Sequence, residues 1–203
     1  MAEHGPRRSP AKRRAILDAA IKVFTDQGYA RASVDAIAAV AGVGKQTVYG
    51  HFGDKEQLFL AAVEEARSAV STTPDVAPIV LSGDPREDLT ALGERILDIA
   101  LSPRVSALHR LTIAEVAHHP ELQRTWRESS ASADHAVVGY LRDRDADGRL
   151  RVPDPARAAR QFSHLVITEG RVETAYGMLP LRPERRHAIA ADAADLIIRA
   201  HRP

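Results

Sequence analysis

Apolar side chains recur at every third or fourth position along most of the chain, which is the spacing of one face of an α-helix. Two short helices of this kind follow each other early in the sequence. The first starts after Ser33, a residue type that caps helix N-termini, and Gly42 supplies its end. The second covers Lys45–Phe52, where Val48 and Phe52 are one turn apart and predict the buried side. The pattern therefore predicts two helices joined by a tight turn that contains glycine.

The opposite side of the second helix is polar. Its outward and flanking positions are Lys45, Gln46, Thr47, Tyr49, Gly50 and His51. Gln46 and Gly50 point directly away from the buried pair, so this side offers hydrogen-bonding groups and positive charge. Two helices joined by a short glycine-containing turn, the second with such a face, are typical of the helix-turn-helix unit that enters the major groove of DNA.

The other periodic segments extend this pair into an all-α protein of about nine helices. We predict a disordered basic arm at residues 1–9, a helix-turn-helix DNA-binding domain at 10–53, a connecting helix at 54–70, and a helical-bundle domain for ligand binding and dimerisation at 71–203. The three-helix domain at 10–53 is called the head, and residues 71–203 are called the body. The connecting helix is the only regular element that we expect to contact both.

Composition supports a head that meets phosphates. The chain of 203 residues has a net charge of only +1, yet residues 1–52 hold eight Lys or Arg against four Asp or Glu, a net charge of +4. The absence of cysteine excludes disulfides and thiolate metal sites. No signal peptide or membrane-spanning stretch is recognisable, so we expect a cytoplasmic protein without a membrane partner.

Several short segments of the head match a family signature. They are ILDAA at 16–20, GY at 28–29, SVDAIA at 33–38, AGV at 41–43, TVY at 47–49 and KEQL at 55–58, with Phe24, Lys45, His51 and Phe52. With these residues the chain resembles the TetR family of bacterial transcriptional regulators. The resemblance is close in the head and weaker in the body, which corresponds to the family's variable ligand-binding half.

The resemblance implies DNA-contacting roles for individual residues. Those that would hold the DNA backbone are Ser33, Thr47, Tyr49, His51 and Lys55. Lys45 and Gln46 would reach base edges, since Lys can donate to guanine and Gln can pair with adenine. Two residues depart from the family pattern, because Gly44 replaces the usual Ser or Thr cap and Gly50 leaves the centre of the outward face without a side chain. The implied partner is a palindromic double-stranded operator.

The resemblance also implies a small-molecule effector in the body. Our candidate contacts are His109, Trp126, Phe162, Glu169 and Met178, and an apolar or aromatic effector between the helices would suit Trp126 and Phe162. Glu169 shares a helical stripe with Phe162 and Leu165, where an unpaired carboxylate is unfavourable. Either an arginine or a partner subunit satisfies it, or it contacts the effector. The other four candidates can equally be core or interface residues.

A homodimer is expected through the last two predicted helices. By the family resemblance these helices form the interface, and their apolar faces suit a four-helix bundle between subunits. The candidate interface residues are Leu165, Val166, Leu196 and Ile197. In the implied mechanism an effector favours a body conformation in which the two heads are badly spaced for DNA, so the dimer releases its operator.

Other functions are compatible with parts of the sequence. Glu115 with His118 and Glu184 with His187 have the Glu-x-x-His spacing of di-iron bundles, but each pair lies at the edge of a predicted helix without further carboxylates, so we expect no metal or other cofactor. A helical-bundle enzyme would need a nucleophile or phosphate-binding motif that we do not recognise. A ligand-independent architectural DNA-binding protein would be more basic. We interpret the chain as a non-enzymatic, ligand-released homodimeric repressor.

Overall fold

The computed structural model describes residues 9–71, 79–120, 123–124 and 134–203, with the backbone alone for 67–71. Within these ranges the chain forms nine α-helices and no strand, so the predicted all-α class is confirmed. The helices are α1 (Pro10–Gln27), α2 (Val34–Ala41), α3 (Lys45–Phe52), α4 (Lys55–Ser71), α5 (Pro85–Ala100), α6 (Pro103–Glu115), α7 (His135–Ala146), α8 (Pro155–Glu173) and α9 (Pro183–Ala200). The predicted arm, apart from Ser9, lies outside the described residues. None of the described helices combines the length and apolar character that crossing a membrane requires.

Helix starts follow the local capping signals of the sequence. The Ser33 hydroxyl accepts the Ala36 N–H at 3.1 Å at the start of α2, as predicted. At the start of α5, the carboxylate of Asp84 accepts the N–H groups of Arg86 and Glu87 at 2.9 and 3.0 Å. These bonds satisfy N–H groups that have no partner inside the helix, so each helix begins at its capping residue.

The described residues divide into two compact units. The first contains residues up to 68 together with 107–120 and 123–124, and the second contains 69–106, with its gap, and 134–203. Helices α4 and α6 therefore have residues in both units. The sequence predicts this for the connecting helix alone, and the structure adds α6.

An aromatic cluster forms the centre of the first unit. The rings of Phe24 and Phe59 meet edge to face at 5.3 Å, and Tyr29 lies 5.7 Å from Phe24 and 5.4 Å from Phe59 between ring centroids. Other fully or almost fully buried side chains of this unit are Ile16, Leu17, Ile37, Val48 and Leu58. Because Phe24 belongs to α1 and Phe59 to α4, the aromatic cluster joins these two helices, while α2 packs on α1 and α3 packs on α2.

Helices α5, α7, α8 and α9 surround the core of the second unit. Phe162 and Val166 of α8 are completely buried in it. A Cβ at Gly93 of α5 would lie 2.9 Å from the Ala190 Cβ and 3.2 Å from the Phe162 ring. A Cβ at Gly170 would collide with Leu97. Small residues at these two positions therefore allow α5 to pack closely on α8 and α9.

The buried stripe of α8 differs from the predicted one. Phe162, Val166 and Gly170 face the core, at intervals of four residues, whereas Leu165 is 42% exposed. Glu169 lies on the exposed side, where its Oε1 is 2.7 Å from Arg185 Nη2. The expectation that Glu169 shares the buried stripe was wrong, because Gly170 fills the inward position next to it. Pairing with an arginine is one of the three arrangements that the sequence left open.

A buried carboxylate joins three segments of the second unit. Asp88 is 2% exposed and accepts the N–H groups of Ser82 and Gly83 at 2.6 and 3.1 Å, the Ser82 hydroxyl at 3.2 Å and the Tyr140 hydroxyl at 3.0 Å. Burial, followed by the hydrogen bond to Asp88, raises the pKa of Tyr140 to about 12. Asp88 therefore holds the segment before α5 and the middle of α7 against α5. The sequence gives no sign of this burial, because an acidic residue in the first turn of a helix is usually exposed.

Asp88→Ala should lower the free energy of unfolding by about 2 to 4 kcal/mol, because it leaves buried donors without an acceptor. Asp98→Ala on the same helix is the matched control. Asp98 pairs with Arg186 at the partly exposed surface, so its loss should lower the free energy of unfolding by about 1 kcal/mol or less. Urea denaturation of both variants measures the difference, and equal losses would contradict the role of Asp88.

Candidate nucleic-acid interface

Backbone hydrogen bonds at Gly42 form the turn between α2 and α3. Gly42 has a φ of 66°, in the left-handed region that glycine adopts without a steric penalty. Its N–H donates to the Ala39 carbonyl at 3.2 Å, and the Val43 N–H donates to that of Ala38 at 3.0 Å. The chain then reaches Gly44, the N-cap residue of α3, which has no side chain to cap the helix. The turn therefore positions α3 through its backbone.

Two buried side chains fix the rotation of α3 about its axis. Val48 is 1% exposed and Phe52 is 9% exposed, so the predicted buried pair is confirmed. Gln46 and Gly50 lie on the exposed side, and Tyr49 keeps 42% of its surface exposed. The polar face of α3 is consequently available to a partner while the apolar face holds the helix in the first unit.

The flanks of α3 contain further polar and cationic groups. Thr47 and His51 are half-buried beside the exposed face. The guanidinium carbon of Arg13, from α1, lies 5.4 Å from the centre of the Phe52 ring, within the range of a cation–π contact. Sequence spacing gave no signal for Arg13, because the contact joins residues from two separate helices. It adds an exposed cation next to α3.

Lys45 forms an ion pair with α2. Its Nζ lies 2.8 Å from Asp35 Oδ2, and both side chains are at least half exposed. The hydrogen bond with Asp35, and then the charge of Asp35, raise the pKa of Lys45 above its ordinary value. Asp35 was not among the predicted site residues. Its pairing holds the Lys45 ammonium at the N-terminal end of α3.

Lys55 is held at the start of α4 by two contacts. Its Nζ donates to the Ala30 carbonyl at 3.3 Å and lies 4.3 Å from the centre of the Tyr29 ring. Burial lowers the pKa of Lys55, and the charge of Glu115 acts in the opposite direction. Lys55 is half-buried, whereas Ser33 at the start of α2 is exposed. These contacts limit the positions that the ammonium group can reach.

A second candidate surface lies on α8 and α9. A groove of about 940 Å³ runs along these helices, and its lining includes Leu165, Val172 and Leu196. These three side chains are 42%, 66% and 54% exposed in the single chain. Val166 and Ile197, also predicted for the interface, are instead 0% and 5% exposed. Because they pack in the core of their own chain, the apolar surface of this face comes from their neighbours.

The predicted effector contacts lie in different environments. Phe162 is completely buried in the core of the second unit, Glu169 is in a surface ion pair, and Met178 is 72% exposed. The lining of the groove on α8 and α9 includes Glu169 but neither Phe162 nor Met178. His109 is half-buried on α6. Trp126 lies outside the described residues.

Within the described ranges, no cluster of three or more His, Asp or Glu side chains could hold a metal ion. In one of the two Glu-x-x-His segments, His187 has another partner, since its Nδ1 lies 3.1 Å from Glu94 Oε1. In the other segment, Glu115 is the last residue of α6. The segments therefore form surface and helix-end contacts.

Comparisons with known proteins agree with this geometry. Residues 16–62 match the family model for bacterial regulatory proteins of the tetR family, and residues 87–203 match the model for the AefR-like transcriptional repressor C-terminal domain. A helix-turn-helix-type transcriptional repressor of Mycobacterium tuberculosis is 28% identical over 161 residues, which cover 77% of this chain and 79% of that protein.

Two solved structures of regulators have the same fold. The flavonoid-responsive regulator FrrA is 27% identical, with a TM-score of 0.77 over 96% of this chain and 99% of its own. A TetR-family regulator of Mesorhizobium loti is 25% identical, with a TM-score of 0.75 over 96% of this chain and all of its own. Together with the two family models, which span both the DNA-binding helices and most of the body, these matches show that the chain belongs to the TetR family of DNA-binding transcriptional regulators.

Proposed function

We propose that the protein is a homodimeric repressor that binds a palindromic operator through α3 and releases it when a small molecule binds the body. The observation that carries this proposal is the orientation of α3. Burial of Val48 and Phe52 directs Gln46 to the outside, and a short helix with such a face fits the major groove. The proposal assigns sequence reading and operator anchoring to different residues of the first unit.

Gln46 is the proposed base reader. Its exposed amide can form two hydrogen bonds with adenine, and such a bidentate pair discriminates against the other bases. Lys45 is a second reader, and Asp35 keeps its ammonium at the N-terminal end of α3. Since the ion pair is exposed, exchanging Asp35 for a base or phosphate acceptor requires little free energy.

Phosphate contacts are assigned to Ser33, Thr47, Tyr49, His51 and Lys55. The contacts of Lys55 with Ala30 and Tyr29 support a fixed ammonium position at the edge of the helix-turn-helix unit. Contacts of this kind set the register of a protein on the duplex and add affinity for any sequence.

The apolar face of α8 and α9 supports a dimer. A contiguous strip with Leu165, Val172 and Leu196 is an unfavourable surface for an isolated chain. Two copies packed through this strip would form a four-helix bundle and present two α3 helices to the two halves of a palindrome. Leu165 and Leu196 stay in the proposed interface, whereas Val166 and Ile197 act through the core beneath it.

Effector release is supported by the sharing of α4 and α6 between the two units. An effector that prefers one arrangement of these helices would change the spacing of the DNA-binding units in the dimer. Half-sites are about 34 to 36 Å apart, so a small change prevents both from binding at once. FrrA, which has the same fold, is named for its response to flavonoids, and this supports an aromatic or apolar effector near Trp126.

Gln46→Ala should weaken binding to the preferred operator by about 1 to 3 kcal/mol and change binding to random DNA little, because it removes a base contact. Lys55→Ala is the comparison, and it should weaken binding to both duplexes alike. It should also reduce the slope of log affinity against log salt concentration by about 1. Titrations with an operator selected from a randomised pool and with a scrambled duplex measure both effects. Equal losses on the two duplexes for Gln46→Ala would remove it as a reader.

Leu165→Glu combined with Leu196→Glu should convert the dimer into a folded monomer, because the charges would be buried in the proposed interface. Val80→Glu is the control, since Val80 is an apolar residue that is 88% exposed on another surface. Sedimentation velocity reports the mass and circular dichroism reports the helix content. A fully dimeric double variant would place the interface elsewhere.

A small-molecule inducer should lower operator affinity by about 5- to 150-fold, the usual size of such coupling. By thermodynamic linkage, operator DNA must weaken inducer binding by the same factor. The quenching of Trp126, the one tryptophan in the sequence, screens a set of flavonoids and other aromatic compounds, and calorimetry with and without operator measures the coupling. A scrambled duplex should leave inducer affinity unchanged. A compound whose affinity is the same with operator cannot be the inducer.

A further inference from the structure

Gly50 is an exposed glycine in the interior of α3. A Cβ built at this position would meet no atom of the described residues within 4 Å. Its φ is not in the positive range, so its backbone conformation is open to any residue. Alanine at this position would make α3 more stable, since glycine is among the least favourable residues inside a helix.

The other glycines inside the described helices differ from Gly50 in their contacts or in their position. Gly93 and Gly170 lie where a Cβ would meet neighbouring side chains at very short distance, so packing within the chain explains them. Gly139 of α7 is exposed and open like Gly50, but it is not on a DNA-facing helix. For Gly50, no contact with the described residues accounts for the missing side chain.

The position of Gly50 indicates what its partner is. It follows Gln46 by one turn on the outward side of α3, opposite Val48 and Phe52. The eight residues of α3 span about 12 Å, which is the width of the major groove. The Cα atoms of a helix lie about 2.3 Å from its axis. With side chains, the overall diameter of the helix is about 10 to 12 Å. A helix without a side chain at this point can therefore sit deeper in the groove.

We propose that Gly50 is a specificity-determining position at which the backbone of α3 rests against the base edges of the operator. This inference rests on the proposed role of α3 as the reading helix. A side chain at residue 50 would hold the helix away from the bases and lift Gln46 from its hydrogen-bond partner. Random DNA is held mainly through phosphates, so its binding does not need this depth.

Gly50→Ala in the full-length protein tests the proposal, with Gly139→Ala as the matched control. Both substitutions should raise the melting temperature by about 1 to 4 °C, because both remove an open glycine from a helix. Only Gly50→Ala should weaken binding to the operator that the wild-type protein selects from a randomised pool, by about 10- to 100-fold. Its binding to a scrambled duplex should change by less than about twofold.

Adding Gln46→Ala to Gly50→Ala gives a readout that a purely structural effect would not produce. The loss caused by Gln46→Ala should be several-fold smaller in the Gly50→Ala protein, because Gln46 no longer reaches its base. Unchanged operator binding by Gly50→Ala would overturn the inference, and so would equal losses on operator and scrambled DNA. In both cases the proposed function would stand if wild-type selectivity is intact. A wild-type protein without any preferred duplex would overturn both.

Discussion

The burial of Val48 and Phe52 is the constraint on which the exposed polar face of α3 depends. The two side chains are one turn apart, so they fix both the position of α3 and its rotation. Every exposed position of the helix follows from this rotation. The turn at Gly42 joins α3 to α2, α2 packs on α1, and Arg13 of α1 lies over the Phe52 ring. Apolar packing inside the unit thus determines which polar groups a duplex would meet.

Contacts with neighbouring residues hold the two lysine ammonium groups near α3 in place. Lys45 is held by Asp35, and Lys55 is held between the Ala30 carbonyl and the Tyr29 ring. Ordered ammonium groups lose less conformational entropy when they bind than free ones do. Asp35 also reduces the positive charge available for non-specific attraction, since it partly offsets Lys45. Both effects would favour the operator selectivity that we propose.

The second unit has a closely packed interior and an exposed apolar strip on α8 and α9. Gly93 and Gly170 allow α5 to approach α8 and α9, and the buried Asp88 carboxylate ties the preceding segment and Tyr140 to α5. The inward side of α8 is thereby filled by its own chain, which leaves Leu165 and its neighbours on the outside. The rigid interior gives this outer face a fixed shape, as a specific subunit contact requires.

The sequence by itself determined the all-α class, the two helices of the DNA-binding motif, their caps and the buried side of α3, because all of these depend on local spacing and on residue type at helix ends. Tertiary structure decided which side of α8 is inward, since Leu97 of α5 approaches α8 at Gly170, where a Cβ would collide with it. It also decided that Val166 and Ile197 are core residues, and that Asp35, Arg13 and Asp88 have partners. Such contacts join residues from different helices, and periodicity along one helix does not contain the information on which neighbour will fill a given face.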